Sequence, residues 1–185
     1  MSKYILKDKA QVSKEPLFDI KYCSRCCMPE TEEEYTEDEY GMCRICRSSE
    51  QKMHIDWVNR KRMFEEIVEK CKAQAGNSYD CMVPISGGKD SSFQLYVLTQ
   101  IFKLKPLAVT YSHNWFSKTG WYNLVNTLKE FNVDHVMYTP NRNLVNKIAR
   151  KSLSMIGDSC WSCHAGVGSI PLHIASKYNI PVIIY

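Results

Sequence analysis

The feature that most constrains this chain is a seven-residue turn, Ser86-Gly87-Gly88-Lys89-Asp90-Ser91-Ser92. Before it, Cys81, Met82, Val83, Pro84 and Ile85 form an apolar run that reads as a buried strand. After it, residues 93–102 read as a buried helix. A strand, a glycine-rich turn and a helix start in that order aim free backbone N–H groups at one spot. The two glycines allow close backbone approach and dihedrals closed to other residues. Ser86, Lys89, Ser91 and Ser92 add side-chain donors, so the turn suits phosphate oxygens. Asp90 is the odd member. A carboxylate repels phosphate unless a divalent cation such as magnesium lies between them.

From this turn onward strand and helix patterns alternate. Strands are predicted at 80–85, 107–111, 134–138 and 181–185, and helices at 90–103, 119–131, 142–155 and 166–178. Alternation implies an α/β fold, a parallel sheet with helices on its faces. Ligands bind such sheets beyond the carboxyl ends of the strands. The glycine-rich turn, Ser112-His113-Asn114-Trp115, Pro140-Asn141 and Cys160-Trp161-Ser162-Cys163 all fall at those ends. Val109 and Tyr111, at the end of the second strand, are placed for their backbone to read a base edge. Upstream, residues 51–74 read as one helix, with Met53, Trp57, Phe64, Ile67, Val68 and Cys71 near one stripe. The organisation expected is a polar leader at 1–21, a small cysteine module at 22–50, a linker helix at 51–75 and the sheet domain at 78–185. The last segment reads as a core strand. A parallel strand needs neighbours and covering helices, so its position predicts a carboxyl part that is missing.

Cysteine spacing defines the small module. Cys23-Ser24-Arg25-Cys26 and Cys43-Arg44-Ile45-Cys46 are two knuckles sixteen residues apart, the pattern of a closed tetrahedral zinc site. Such a site organises a segment too small for an apolar core. Cys27 is expected to point elsewhere as a spare thiol. Between the knuckles stand Glu30, Glu32, Glu33, Glu34, Glu37, Asp38 and Glu39, a run read as a solvated loop that repels nucleic acid. Cys160 and Cys163 form a second pair at a helix start, where thiolate and metal binding are favoured. Two sulfurs do not complete a site, so a second metal or cluster there needs His164, Asp158 or another ligand.

Composition narrows the class. With 185 residues there is room for one ordinary domain and a small appendage. A net charge of +4 is too weak to argue for nucleic acid. No apolar run reaches membrane-span length, and residues 1–20 show no secretory apolar region. Nine cysteines without a secretory signal fit a reducing cytoplasm. His113 has a reference pKa suited to moving a proton near neutral pH, and Trp115 is a candidate for stacking on a base or sugar face.

Ser-Gly-Gly-Lys-Asp-Ser is not a Walker A loop. It resembles the signature of the PP-loop ATP pyrophosphatases, which cut ATP between its alpha and beta phosphates. Within that superfamily four stretches resemble the N-acetyl sugar amidotransferases of bacterial surface-glycan biosynthesis. They are Tyr22-Cys23-Ser24-Arg25-Cys26-Cys27-Met28-Pro29-Glu30-Thr31, Val83-Pro84-Ile85-Ser86-Gly87-Gly88-Lys89-Asp90-Ser91, Pro106-Leu107-Ala108-Val109-Thr110 and Cys160-Trp161-Ser162-Cys163-His164.

The resemblance implies an adenine-nucleotide alpha-hydrolase-like, doubly wound parallel sheet. It also implies that ATP adenylates an acetamido oxygen and that ammonia then displaces AMP to give an acetamidino sugar, in lipopolysaccharide O-antigen or flagellar glycan synthesis. Lys89, Asp90 and His113 are the expected catalytic residues, with magnesium on Asp90. Ser86, Gly87, Gly88, Lys89, Asp90, Ser91 and Ser92 are expected to hold the phosphates, and Val109 and Tyr111 the adenine. Zinc is expected on Cys23, Cys26, Cys43 and Cys46. An N-acetyl sugar or sugar nucleotide is the implied substrate, and a separate glutaminase with a channel-forming subunit the implied ammonia source. Two alternatives stay open. One is a PP-loop tRNA thiolase with an iron–sulfur cluster at Cys160 and Cys163. The other is a non-catalytic zinc- and nucleotide-binding module.

Overall fold

The computed structural model describes residues 19–185. Most of the expected leader, residues 1–18, lies outside the described residues. The chain divides into two compact units, one running up to Trp57 and the other spanning Val58–Tyr185.

In the first unit the backbone folds around the cysteines. Tyr22 bridges Pro29 and Glu37 bridges Cys43, both antiparallel. The second knuckle opens helix α1 (Arg44–Gln51). Its buried cluster is Cys23, Cys43 and Cys46, with Met28 and Tyr35 packed against it. The single helix expected over 51–74 is broken. A 3₁₀ turn at Lys52–His54 runs into extended backbone at Ile55, and α2 begins afresh at Trp57 (Trp57–Ala75). Asp56, directly before Trp57, is a residue type that opens helices. Val68 and Cys71 are buried on α2 as expected, whereas Met53 and Trp57 are 84% and 62% exposed and lie off the stripe.

The second unit holds a parallel sheet in the order β1 (Cys81–Pro84), β2 (Pro106–Tyr111), β3 (Asp134–Tyr138). Val83 pairs with Ala108 and Val109 with Val136. Alternate side chains divide between two layers. Cys81, Val83, Ile85 and Ala108 pack with Val68 of α2, Leu95 of α3 (Lys89–Tyr96), Leu98 and Leu124 of α4 (Lys118–Phe131). Met82, Leu107 and Val109 pack on the opposite face with Ile174 and Ala175 of α6 (Trp161–Tyr178) and with Ile180. The sheet is covered on both faces, as a doubly wound parallel sheet requires. α5 (Arg142–Ile156) completes the unit.

Three boundaries differ from the sequence reading. The helix after the glycine-rich turn ends as α-helix at Tyr96 and continues as a wider π turn over Val97–Ile101, where Phe102 N–H bonds Val97 O at 3.0 Å. Thr99 Oγ1 donates back to Leu95 O at 2.7 Å, a bond that competes with the regular ladder. Nor is this helix buried all round, since Phe93 and Tyr96 are exposed. α6 begins five residues before the expected start at 166. Gly166 and Gly168, which weaken a helix reading, lie inside it. Finally, residues 181–185 make one rung beside β1 rather than a strand. Met82 N–H donates to Val182 O and Ile184 N–H donates to Met82 O, each at 2.9 Å. The next β1 group on that side belongs to Pro84, which has no N–H to continue the ladder.

Capping follows ordinary rules. Ser117 Oγ accepts from Gly120 N–H at 3.0 Å, and Asn141 Oδ1 from Leu144 N–H at 3.1 Å. No helix among the described residues is long and apolar enough to cross a membrane.

Candidate functional site

β1 delivers the chain to the glycine-rich loop. Ile85 N–H reaches Val109 O at 2.8 Å, one residue past the regular ladder, and the loop then turns into α3. Gly87 sits at φ +79°, and a Cβ there would lie 2.6 Å from Leu124 N and 3.1 Å from Gly120 O. The loop therefore rests directly on the α4 backbone, and the protein itself requires glycine at this position. Gly88 differs. It caps α3 at φ −79°, and its Cβ would meet only Ser86 Oγ, at 3.4 Å. Nothing in the fold forbids a side chain at Gly88, so close approach by a ligand is what would exclude one.

The loop side chains divide in the same way. Lys89 Nζ pairs with Asp90 Oδ1 at 2.6 Å, with both side chains more than four-fifths exposed. Ser91 and Ser92 hydroxyls donate to Gly88 O at 3.2 and 2.9 Å. Ser92 Oγ also lies 3.2 Å from Thr127 Oγ1 on α4. A cleft of about 350 Å³ collects Ser86, Gly88, Lys89, Asp90 and Ser91 from the loop, Val109, Thr110 and Tyr111 from β2, then His113 and Phe116. Cys163, Val167 and Pro171, spaced four apart on α6, form the facing wall. Most of the expected site residues thus converge. Gly87 and Ser92 turn to α4 instead, and Cys160 is exposed at the α6 N-cap outside the lining. A larger hollow of about 690 Å³ lies at the amino ends of the strands, around Tyr79, Lys105 and Asp134. It contains none of the loop, and ligands of parallel sheets bind at the other end.

Thr110 was not singled out by sequence reasoning. It is buried in the cleft wall, donates from Oγ1 to Ile85 O at 2.7 Å and lies 2.9 Å from His135 Nε2. Because the hydroxyl proton goes to Ile85, the neutral imidazole must donate from Nε2. Burial lowers the His135 pKa, which favours that neutral form. The pair thereby fixes the peptide entering Ser86. A hydroxyl within the run Pro106-Leu107-Ala108-Val109-Thr110 was the available signal.

Tyr111 and His113 are more restricted than their sequence suggests. The Tyr111 ring lies over Gly166, where a Cβ would be 2.3 Å from Cζ, and stacks with Tyr138 at 6.1 Å. Burial raises its pKa. His113 Nδ1 accepts from Trp115 N–H at 3.0 Å, and the ring lies 4.5 Å from Phe116. Its neutral form therefore carries the proton on Nε2. In this arrangement His113 is a donor suited to an anionic oxygen. Taking a proton would fall to Nδ1, which the Trp115 amide already occupies.

The four cysteines of the first unit bring their sulfurs within 4.8 Å of one another. Cys23 and Cys46 Sγ are 3.9 Å apart, and Cys26 and Cys43 Sγ 3.6 Å. A tetrahedral ion with bonds of about 2.3 Å needs sulfur separations near about 3.8 Å, so the residues fit a four-sulfur metal centre. Cys43 N–H donates to Cys23 Sγ at 3.2 Å and Arg25 N–H at 3.4 Å. Backbone donors, that of Cys43 foremost, hold the Cys23 thiol down to about 6. Cys27 is exposed at φ +58°, as a spare thiol. The acidic run is less free than expected. Glu34 pairs with Arg44 at 3.0 Å, while Asp38 pairs with Arg47 and accepts from the Tyr40 and Met42 amides at 2.9 and 3.0 Å.

No protein-family model matches the chain. An uncharacterized protein of Methanocaldococcus jannaschii is 38% identical over 74 residues, 40% of this chain and 26% of that protein, so the chain spans about a quarter of that relative. Among solved structures, an NH3-dependent NAD synthetase from Campylobacter jejuni matches 69% of this chain and 56% of its own at 14% identity and a TM-score of 0.43. An NMN synthetase from Francisella tularensis matches 64% and 52% at 14% identity and a TM-score of 0.46. A tRNA thiolase from Methanococcus maripaludis, solved with its 4Fe-4S cluster, matches 88% and 52% at 17% identity and a TM-score of 0.45. These likenesses are partial, and the site described above stands on the chain's own residues.

Proposed function

We propose that the cleft binds ATP and cuts it between the alpha and beta phosphates, and that the whole protein is an ATP-dependent amidotransferase acting on an N-acetyl sugar. One observation carries the ATP reading. The start of α3, with Ser86, Gly88, Lys89 and Ser91, lines a cleft at the carboxyl ends of β1 and β2. Helix-start amides and these side chains are donors for phosphate oxygens, and unforced Gly88 leaves room for their approach. Asp90 is the residue that would hold magnesium, which when bound screens phosphate charge. ATP would replace the carboxylate now pairing Lys89, freeing the ammonium to neutralise the alpha phosphate.

The acceptor assignment rests on the motif resemblance. An amide oxygen is a poor leaving group. Adenylation forms an O–P bond to the amide oxygen and releases pyrophosphate. Ammonia then attacks the amide carbon, and the C–O bond breaks to release AMP. His113 Nε2–H is suited to hold an anionic oxygen during these steps. Val109 and Tyr111 border the adenine side, with the Tyr111 ring kept in place by Gly166. A glutaminase partner would supply ammonia, in the cytoplasm. In the first unit the ion is zinc with a structural role, since four sulfurs leave no open position.

The test is incubation with ATP, ammonia and candidate N-acetyl sugars, followed by mass spectrometry. Replacement of one oxygen by NH, with sugar-dependent pyrophosphate release lost in Asp90→Ala, is the expected result. Pyrophosphate release that requires tRNA, in protein carrying a brown cluster, would transfer the assignment to a thiolase. Tight ATP binding without turnover on any acceptor would leave a binding module.

A further inference from the structure

We propose that Cys160 and Cys163 form a reversible thiol–disulfide pair on the wall of the cleft, exchanging with small-molecule thiols and disulfides. The pair occupies the first turn of an eighteen-residue helix. Cys163 N–H donates to Cys160 O at 2.8 Å and His164 N–H donates to the same oxygen at 3.1 Å, so both cysteines lie on one closed turn. Residues three apart on such a turn have Cα atoms about 5 Å apart, inside the span a disulfide bridges. Asp158 Oδ1 accepts from Cys160 N–H at 2.7 Å and fixes the entry to the turn.

The two thiols are unequal. Cys160 is exposed at the N-cap of α6, where solvent and small thiols reach its sulfur. Cys163 is half-buried, lines the cleft, and has its thiol pushed up by burial. An exposed attacking thiol and a sheltered resolving thiol three residues later make a dithiol pair suited to exchange. A metal site fits these residues less well. Among the described residues the Cys23, Cys26, Cys43 and Cys46 group is the one that brings three or more ligand atoms together. His164, the nearest candidate third ligand, faces Asp158 at 3.9 Å.

The chemistry balances with glutathione disulfide as oxidant. Cys160 thiolate attacks one glutathione sulfur, an S–S bond forms, and one glutathione thiolate leaves. Cys163, giving up its proton, then attacks the Cys160 sulfur and expels the second glutathione. Two protein thiols are oxidised and one glutathione disulfide is reduced to two thiols. Excess glutathione reverses both steps.

The full, metal-loaded chain is equilibrated at graded ratios of glutathione to glutathione disulfide, alkylated and digested with trypsin. Residues 152–177 form one tryptic peptide whose cysteines are Cys160 and Cys163 alone. Both alkyl adducts should disappear together as oxidant rises, leaving a peptide lighter by two hydrogens than the dithiol. Cys163→Ser should instead accumulate a glutathione adduct on Cys160. Cys160→Ser should leave Cys163 alkylated at oxidant levels that convert the native pair. Trp161, between the two cysteines and 51% exposed, gives a second readout, an emission change that follows the disulfide and is absent in Cys160→Ser. Two alkyl adducts at every ratio would overturn the proposal. So would a second metal equivalent per chain that protects the pair and is lost in Cys163→Ser.

Discussion

The two units keep their shape by opposite means. Between residues 22 and 50 the buried cluster is Cys23, Cys43 and Cys46, with two partly buried side chains against it. In Val58–Tyr185 the cohesion is spread over two apolar layers, one on each face of the sheet. A small segment cannot bury enough apolar surface to offset its ordering, so its stability concentrates in one centre. The larger unit distributes the same task, and each side chain carries a modest share.

Removing the metal proposed for the four cysteines should break this contrast most visibly. Chelation, or Cys43→Ser, should unfold the first unit, with loss on the order of 10 kcal/mol of metal-linked stability, while the cooperative melt of the sheet unit persists. Amide NMR and elemental analysis read both, and a first unit that stays folded without metal would end the comparison. Within the sheet unit, Leu95→Ala at a fully buried position should cost about 2–5 kcal/mol in urea denaturation. A smaller loss would mean that the layer relaxes around the gap.

Gly87→Ala should cost about 2–3 kcal/mol, from positive φ and collision with the α4 backbone. Gly88→Ala should stay within about 1 kcal/mol of wild type in stability yet lose ATP affinity by calorimetry. Equal stability losses at the two glycines would refute their separation into a packing residue and a ligand-facing one.

The smallest effect concerns His135. Its folded pKa is depressed by burial, so the unfolded chain binds the proton more readily. The stabilising contribution is fully present above the unfolded value near about 6.5 and falls as pH drops through it toward the folded value. Denaturation midpoints between pH 7.5 and 5 should therefore decline less steeply in His135→Asn. An unchanged slope would show that the Thr110–His135 bond carries no linkage to protonation.

Much of this architecture was readable because it is written locally. The apolar run ahead of the glycine-rich turn located β1, the alternation of strand and helix patterns placed β2 and β3 with α4 and α5, and cysteine spacing foretold the four-sulfur group. What could not be read depends on contacts between distant segments. The need for Gly87 comes from α4, the place of the Tyr111 ring from Gly166, and the turning of Ser92 from Thr127. His113 seemed a free base because nothing in its neighbours announces that the Trp115 amide occupies Nδ1. The tail failed to form a strand because Pro84, a hundred residues earlier and harmless in β1 on its own, withholds the next donor.

That single rung at Met82 also bears on how the protein is made. β1 gains its neighbour on one side from residues 106–109, but its other edge waits for Val182 and Ile184, about a hundred residues later in the chain. On the ribosome, an apolar strand with one bare edge therefore persists through most of the synthesis of its own sheet. That interval is when the nascent chain is most open to pairing with a second copy, and when chaperone cover matters most.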